Sequence, residues 1–392
     1  MRKSIISRFL CGAVAIALIC VLSGFAAAAS QPHYLVTNDD ALFGNSVTFY
    51  TIGTNGLLIL KSQVPTSGSG IGGGYFAANR VNVINGTTGQ CVYAADAATG
   101  DITGINVTTL LVGASATGSS TDGGTSNGIG LATNGQYIYA SFSDSNTIGT
   151  FQIQSDCSLT FVNDTSVVGL QAGIINGMAA HGNILVVTYG DGSIESFNIS
   201  SGTPVSNGDE QNSAGYLKSQ GATYPTGVEI TLDGHFALFG DTSTSSVVEV
   251  SDLSSGHLGT TVVNTLGTGI NSSNILLSPD ETLLYISNTQ GDRISAAFFN
   301  KNTGKLSIGC ASNRLRGYVS NWSYLAGLAL ATNSGTGGMV YVAEFGTSSG
   351  VALIQVSSAN GKCSMAELSN SPLVDANSPG LLSIGTFPPR SF

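Results

Sequence analysis

Charge is scarce in this chain: Asp, Glu, Lys and Arg make up only 9% of it. Long amphipathic helices and coiled coils, which need a charged solvent face, are excluded by so little charge. Basic charge is scarcer still, with 13 Lys and Arg against 23 Asp and Glu. Three of the basic residues, Arg2, Lys3 and Arg8, stand at the extreme N-terminus. Beyond them ten basic residues face 23 acidic ones, a formal net charge of −13. Nucleic acid and anionic lipid would be repelled and are not expected as partners. Histidine is limited to His33, His181, His235 and His257, all isolated, and tryptophan to Trp322. There is no His-Glu-x-x-His, Cys-x-x-Cys or phosphate loop, which removes three common catalytic frameworks. After residue 22 no apolar run approaches the roughly 20 residues of a membrane span.

What the chain does have begins with a leader. Arg2, Lys3 and Arg8 precede an uncharged apolar run over residues 9–22, and Ala26 to Ala29 offer small-residue cleavage sites. That order is the one of a secretory signal peptide. Residues 1–29 are therefore expected to be removed, and residues 30–392 to form one exported domain. Its destination is the periplasm, the cell envelope or the extracellular space, with no membrane insertion after cleavage.

Gly, Ser, Thr and Asn are abundant, as packed sheets with tight turns require. One block recurs: a turn, an apolar strand, a polar residue, a short loop, a second apolar strand, a Gly-containing turn and a third strand. Aligning the blocks on one strand position gives Leu35, Tyr93, Tyr139, Val186, Leu238, Tyr285 and Tyr341, spaced by 58, 46, 47, 52, 47 and 56 residues. Such a period holds about four short strands. A lone sheet of this kind cannot bury both faces, but sheets stacked radially can. The chain is thus read as all-β, a seven-bladed β-propeller with four antiparallel strands per blade. Six blocks carry an innermost strand before the aligned one. The first lacks it, and the missing segment appears near Leu381. The C-terminal strand is expected to join the N-terminal blade and close the ring.

The block is clearest where Ser278-Pro279-Asp280 leads into Leu284-Tyr285-Ile286-Ser287-Asn288 and the turn Thr303-Gly304-Lys305-Leu306. These motifs resemble the lactonase-like and YVTN-type seven-bladed propellers, the 6-phosphogluconolactonase-like superfamily. The resemblance covers nearly all of the chain beyond the leader. It implies a lactone-ring hydrolase or cyclase, with His, Arg and Glu gathered at the central channel. On or near the inner strands of this chain the residues of those types are His181, Glu229 and Arg80.

The residues themselves suggest a different use. The ends of the aligned strands read Asn38, Asp96, Phe142, Tyr189, Asp241, Asn288 and Glu344, and in a propeller they would ring one face. Carboxylates and amides there suit a small polar ligand, a sugar, or Ca²⁺ at an acidic face, while Asp and Asn also serve turns. Arg314, Arg316, Trp322 and Tyr324 cluster between the sixth and seventh blocks, where aromatic rings could stack on a ligand and arginines could hold a carboxylate. The leading expectation is a monomeric propeller that binds a small polar ligand or a protein on that face. A lactonase and a structural cell-envelope protein are the alternatives.

Cys91, Cys157, Cys310 and Cys363 lie beyond the leader, and four cysteines allow three pairings. If two bonds form, Cys91–Cys157 with Cys310–Cys363 is the only pairing confined to adjacent blades. Four buried free thiols are the other outcome.

Overall fold

A computed structural model describes residues 34–72, 81–86, 89–117, 128–167, 175–209, 225–241, 247–259, 262–267, 272–288, 293–317, 324–330, 337–345, 350–374 and 383–387. All regular structure among them is β, arranged as seven antiparallel sheets. From the centre outward, the first blade is Ser383–Phe387, Tyr34–Asn38, Ser46–Ile52 and Leu58–Pro65. The second blade begins with Val81–Gly86 and Gly89–Asp96, and the third with Leu131–Thr133 and Tyr137–Phe142. Ile175–His181 with Ile184–Tyr189 opens the fourth, and Pro225–Ile230 with Phe236–Asp241 the fifth. The sixth starts with Ser272–Leu277 and Leu283–Asn288, the seventh with Tyr324–Leu330 and Gly337–Phe345. The innermost strands touch one another in order around a complete circle, the C-terminal one lying between those of the seventh and second blades.

All seven aligned positions fall in second strands. Leu35 is opposite Thr386, Tyr93 opposite Asn82, Val186 opposite Ala179, and Tyr341 opposite Ala329. The ring is closed as the repeat count requires: Tyr34 pairs with Phe387 and Asn38 with Ser383. One departure is local. The seventh blade carries an extra short strand, Leu373–Val374, on Gly350–Ala359, so that sheet has five strands.

The apolar runs of the second strands are explained by burial on both faces. Successive side chains point to opposite sides of a strand. In Leu283–Asn288, Leu283 and Tyr285 pack toward the seventh blade, and Leu284 and Ile286 toward the fifth. Seven separate apolar clusters result, one between each pair of neighbouring blades. Two of these junctions are also bonded. Cys91 joins Cys157 between the second and third blades, and Cys310 joins Cys363 between the sixth and seventh. Both Cα–Cα distances are 5.6 Å, inside the range a disulfide spans.

Candidate functional site on the polar rim

Inner strands run toward one face of the ring and second strands run back, so the second strands all end on the face where inner strands begin. This face carries the polar rim. A second repeated feature lies beside it. At the start of the inner strand, the register slips between Ile175 and Gly177, Pro225 and Gly227, Ser272 and Ile275, and Leu325 and Leu328. A slip of this kind is a β-bulge, which turns a side chain out of the regular alternation and is common beside binding sites. Hydroxyls one residue before the rim hold several of these inner-strand starts. The Ser287 Oγ accepts from the Asn274 N–H at 3.0 Å, the Thr188 Oγ1 donates to the Gly177 carbonyl at 3.4 Å, and the Ser141 Oγ accepts from the Gly130 N–H at 2.8 Å.

Rim residues at the first two blades are engaged in structure. The Asn38 Nδ2 donates to the Ala95 carbonyl across the blade junction, and its Oδ1 accepts from Asn45. Asp96 is fully buried and accepts from Asn45 at 2.8 Å, Thr66 at 2.6 Å and Thr103 at 2.9 Å. Burial still leaves its carboxyl above the ordinary range. Neighbouring Asp39 accepts from Thr37, Ser46, Thr48 and Gln63. In the fourth blade the Tyr189 hydroxyl donates to Glu195 at 2.8 Å, and Phe142 in the third is buried. These groups tie blade to blade and turn to strand.

Among the side chains on this face that are buried with hydrogen-bonding capacity left over are Asn176, Asn288 and Glu344. Asn176, in the bulge of the fourth inner strand, is 1% exposed, and neither its Oδ1 nor its Nδ2 meets a partner. Asn288 donates to Ser295 and to the Arg293 carbonyl, but its Oδ1 accepts nothing. Glu344 is 2% exposed, and neither carboxyl oxygen has a hydrogen bond. A Cβ built on Gly317 would lie 1.9 Å from the Glu344 Oε2, so the main chain that crosses from the sixth blade rests directly on this carboxyl. Only a glycine leaves room for it there. A buried polar atom without a partner costs about 1–3 kcal/mol, so each of the three marks a place on the rim face that a further group could complete.

Burial, with the carboxylate of Glu367 adding to it, pushes the Glu344 carboxyl from 4.5 up to about 8. Folding therefore favours the protonated acid. The resulting stabilisation is complete below the unfolded value and is lost as pH rises through about 8. Unfolding free energies from urea titrations at about pH 5 to 9 should fall across this window in the wild type, by up to a few kcal/mol at about 1.4 kcal/mol per unit. Glu344→Gln should flatten that fall. A parallel decline in both proteins would place the titration elsewhere.

The remaining expected site residues are dispersed. His181 ends its strand opposite Ile184, on the far face from the rim, and packs near Gly234 in the turn of the fifth blade. Glu229 lies midway along its inner strand, half-buried, opposite Leu238. Arg80 is outside the described residues, but the strand it leads into starts opposite Ala94, at the rim end. Arg316 is exposed, its backbone N–H bonded to Glu367 and its guanidinium to the Leu368 and Ser369 carbonyls, at the outer edge of the seventh blade. Arg314 is exposed beside it. Trp322 lies outside the described residues, and Tyr324 and Asp241 are placed only along their strands. Among the described residues no three His, Cys, Asp or Glu side chains come together as a metal site would need. Two Gly-x-Ser-x-Gly stretches, 124–128 and 346–350, have serines, Ser126 and Ser348, outside the described residues.

Asn176 and Gly317 carry no weight in the sequence. Asn176 reads only as the first residue of an uncharged inner strand, 176–180, and only the bulge reveals its buried amide.

Comparison with known proteins agrees with the architecture. The family described as Lactonase, 7-bladed beta-propeller matches residues 91–371. No curated protein matches the sequence. Among solved structures, a candidate 6-phosphogluconolactonase of Bacteroides fragilis NCTC 9343 superposes with a TM-score of 0.66 at 15% identity, over 92% of this chain and 99% of that one. A functionally unknown protein of Desulfotomaculum acetoxidans DSM 771 gives 0.63 at 14%, over 90% and 98%. A protein of Lactobacillus plantarum gives 0.61 at 14%, over 91% and 99%. At such identities the likeness is one of fold.

Proposed function

This chain belongs to the lactonase family of seven-bladed β-propellers, and from that premise we propose that it is an exported propeller holding a small uncharged polar molecule on its rim face. The observation that carries this reading is the set of buried, incompletely bonded groups at Asn176, Asn288 and Glu344. An amide with two donors, two amide oxygens and a carboxyl suit the hydroxyls and carbonyl of a neutral ligand. A phosphorylated or carboxylate ligand fits poorly. No Lys or Arg lies in any of the seven inner strands, and the chain beyond its leader has a formal net charge of −13. Export is supported by the leader and by two inter-blade disulfides, which persist in oxidising compartments. Hydrolysis of a neutral lactone is the second reading, favoured by a carboxyl that burial keeps protonated, as a general acid must be.

Calorimetric titration of the secreted protein with δ-gluconolactam, glucose, gluconate and 6-phosphogluconate tests this. The uncharged compounds should bind and the anions should not. Asn176→Ala and Asn288→Ala should each weaken binding by about 5- to 100-fold, the equivalent of one buried hydrogen bond lost. Binding of the phosphorylated compound alone would overturn the reading.

A further inference from the structure

Resting on that reading, we infer that Glu344 acts un-ionised, as the hydrogen-bond donor to a carbonyl oxygen of the bound molecule. Such a donor ranks the neutral ligands, with a carbonyl compound such as a lactam above a simple polyol.

Glu344 closes the second strand of the seventh blade, opposite Leu325 on one side and Gly350 on the other. Gly317 covers it, contributing main chain and no side chain. Neither oxygen accepts a hydrogen bond, although an ionised carboxylate has about four lone-pair sites to fill. The charged groups of the adjoining elements do not compensate a negative charge. Glu367 repels it. Arg316 directs its guanidinium at two carbonyls of the seventh blade, and Arg293, Arg314 and Lys362 are exposed. Burying a charge without a partner costs far more than burying the neutral acid. The acid form carries one O–H donor and needs one acceptor. A carbonyl oxygen is that acceptor. A carboxylate would have selected the opposite, a hydroxyl or a cation. Environments that keep a carboxylic acid neutral for donation are of this apolar, enclosed kind.

Two measurements decide it. The first needs no ligand: an infrared difference spectrum, wild type minus Glu344→Gln, at neutral pH. A protonated carboxyl band assigned to Glu344 is expected, and a carboxylate band in its place overturns the inference. The second is titration with δ-gluconolactam from about pH 5 to 10. Wild-type affinity should be level on the acid side and fall about tenfold per pH unit above the Glu344 transition. Gln is a permanent neutral donor, so Glu344→Gln should bind within about threefold of wild type with no such fall. Glu344→Ala should lose about tenfold or more. Gly317→Ala, which displaces the carboxyl, should match it if circular dichroism shows a folded protein. Abolished binding in Glu344→Gln would mean that an ionised carboxylate is required. If the lactam binds and Glu344→Ala is unaffected, the donor assignment alone falls. If the lactam does not bind the wild type at all, the ligand reading falls, and the donor role with it.

Discussion

Deletion of residues 383–392 should leave a chain that no longer unfolds cooperatively. Residues 383–387 of the deleted segment form the innermost strand of the first blade, paired from Tyr34–Phe387 to Asn38–Ser383. Its side chains belong to two blade junctions at once: Phe387, 1% exposed, sits in the cluster between the first and second blades, and Ile384 in that between the seventh and first. Without it the edge of Tyr34–Asn38 is unpaired, and two of the seven clusters lose a buried side chain. Phe387→Ala alone should cost about 3–5 kcal/mol. The full deletion removes that and five residues of backbone pairing from a domain whose net stability is of order 5–15 kcal/mol. Near-ultraviolet circular dichroism and a urea titration would report it. A sharp, near-native transition in the truncated protein would show that the ring closes by other means.

Replacing all four bonded cysteines by alanine should lower stability by about 4 kcal/mol for each bridge. The bonds close loops of 66 and 53 residues, and loop length sets the entropy a cross-link removes from the unfolded chain. Both bridges also cross from one blade to the next, at junctions where Ile84 and Ile138, and Tyr285 and Val340, already pack. The single-bridge variants should each lose about half of the total, because the two lie on different parts of the ring and share no contacts. Urea midpoints of the three variants, with reduced wild type beside them, measure this. An unchanged midpoint after reduction would mean that the blade junctions hold unaided.

The architecture was legible because the repeat is dominated by burial. A strand enclosed on both faces reads as a continuous apolar run, so Leu284-Tyr285-Ile286 or Val186-Val187 announces itself whatever its neighbours are. The closing strand was legible for a related reason: the first block lacks an inner strand, and one spare segment stands at the other end. The disulfide pairing followed from knowing which blades adjoin. The site was less legible. Asp96 and Glu344 occupy the same position of the repeat, yet one accepts from Asn45, Thr66 and Thr103 while neither oxygen of the other has a hydrogen bond. Those donors reach Asp96 from as far as 51 residues away. No period of the sequence encodes whether a distant side chain arrives. The bulges are equally silent, since a slipped register is a relation between two strands and leaves no mark on either one.

The pairing of Tyr34 with Phe387 also sets the direction of the molecule's attachments. Both described ends stand side by side at the end of the strand away from Asn38, and hence on the face opposite the rim. An affinity tag or surface linker fused at either end would leave from the same side, like two cables from the back of a dish. Held to a sensor chip at Tyr34 or Phe387, the protein would present its rim face outward to the flowing sample.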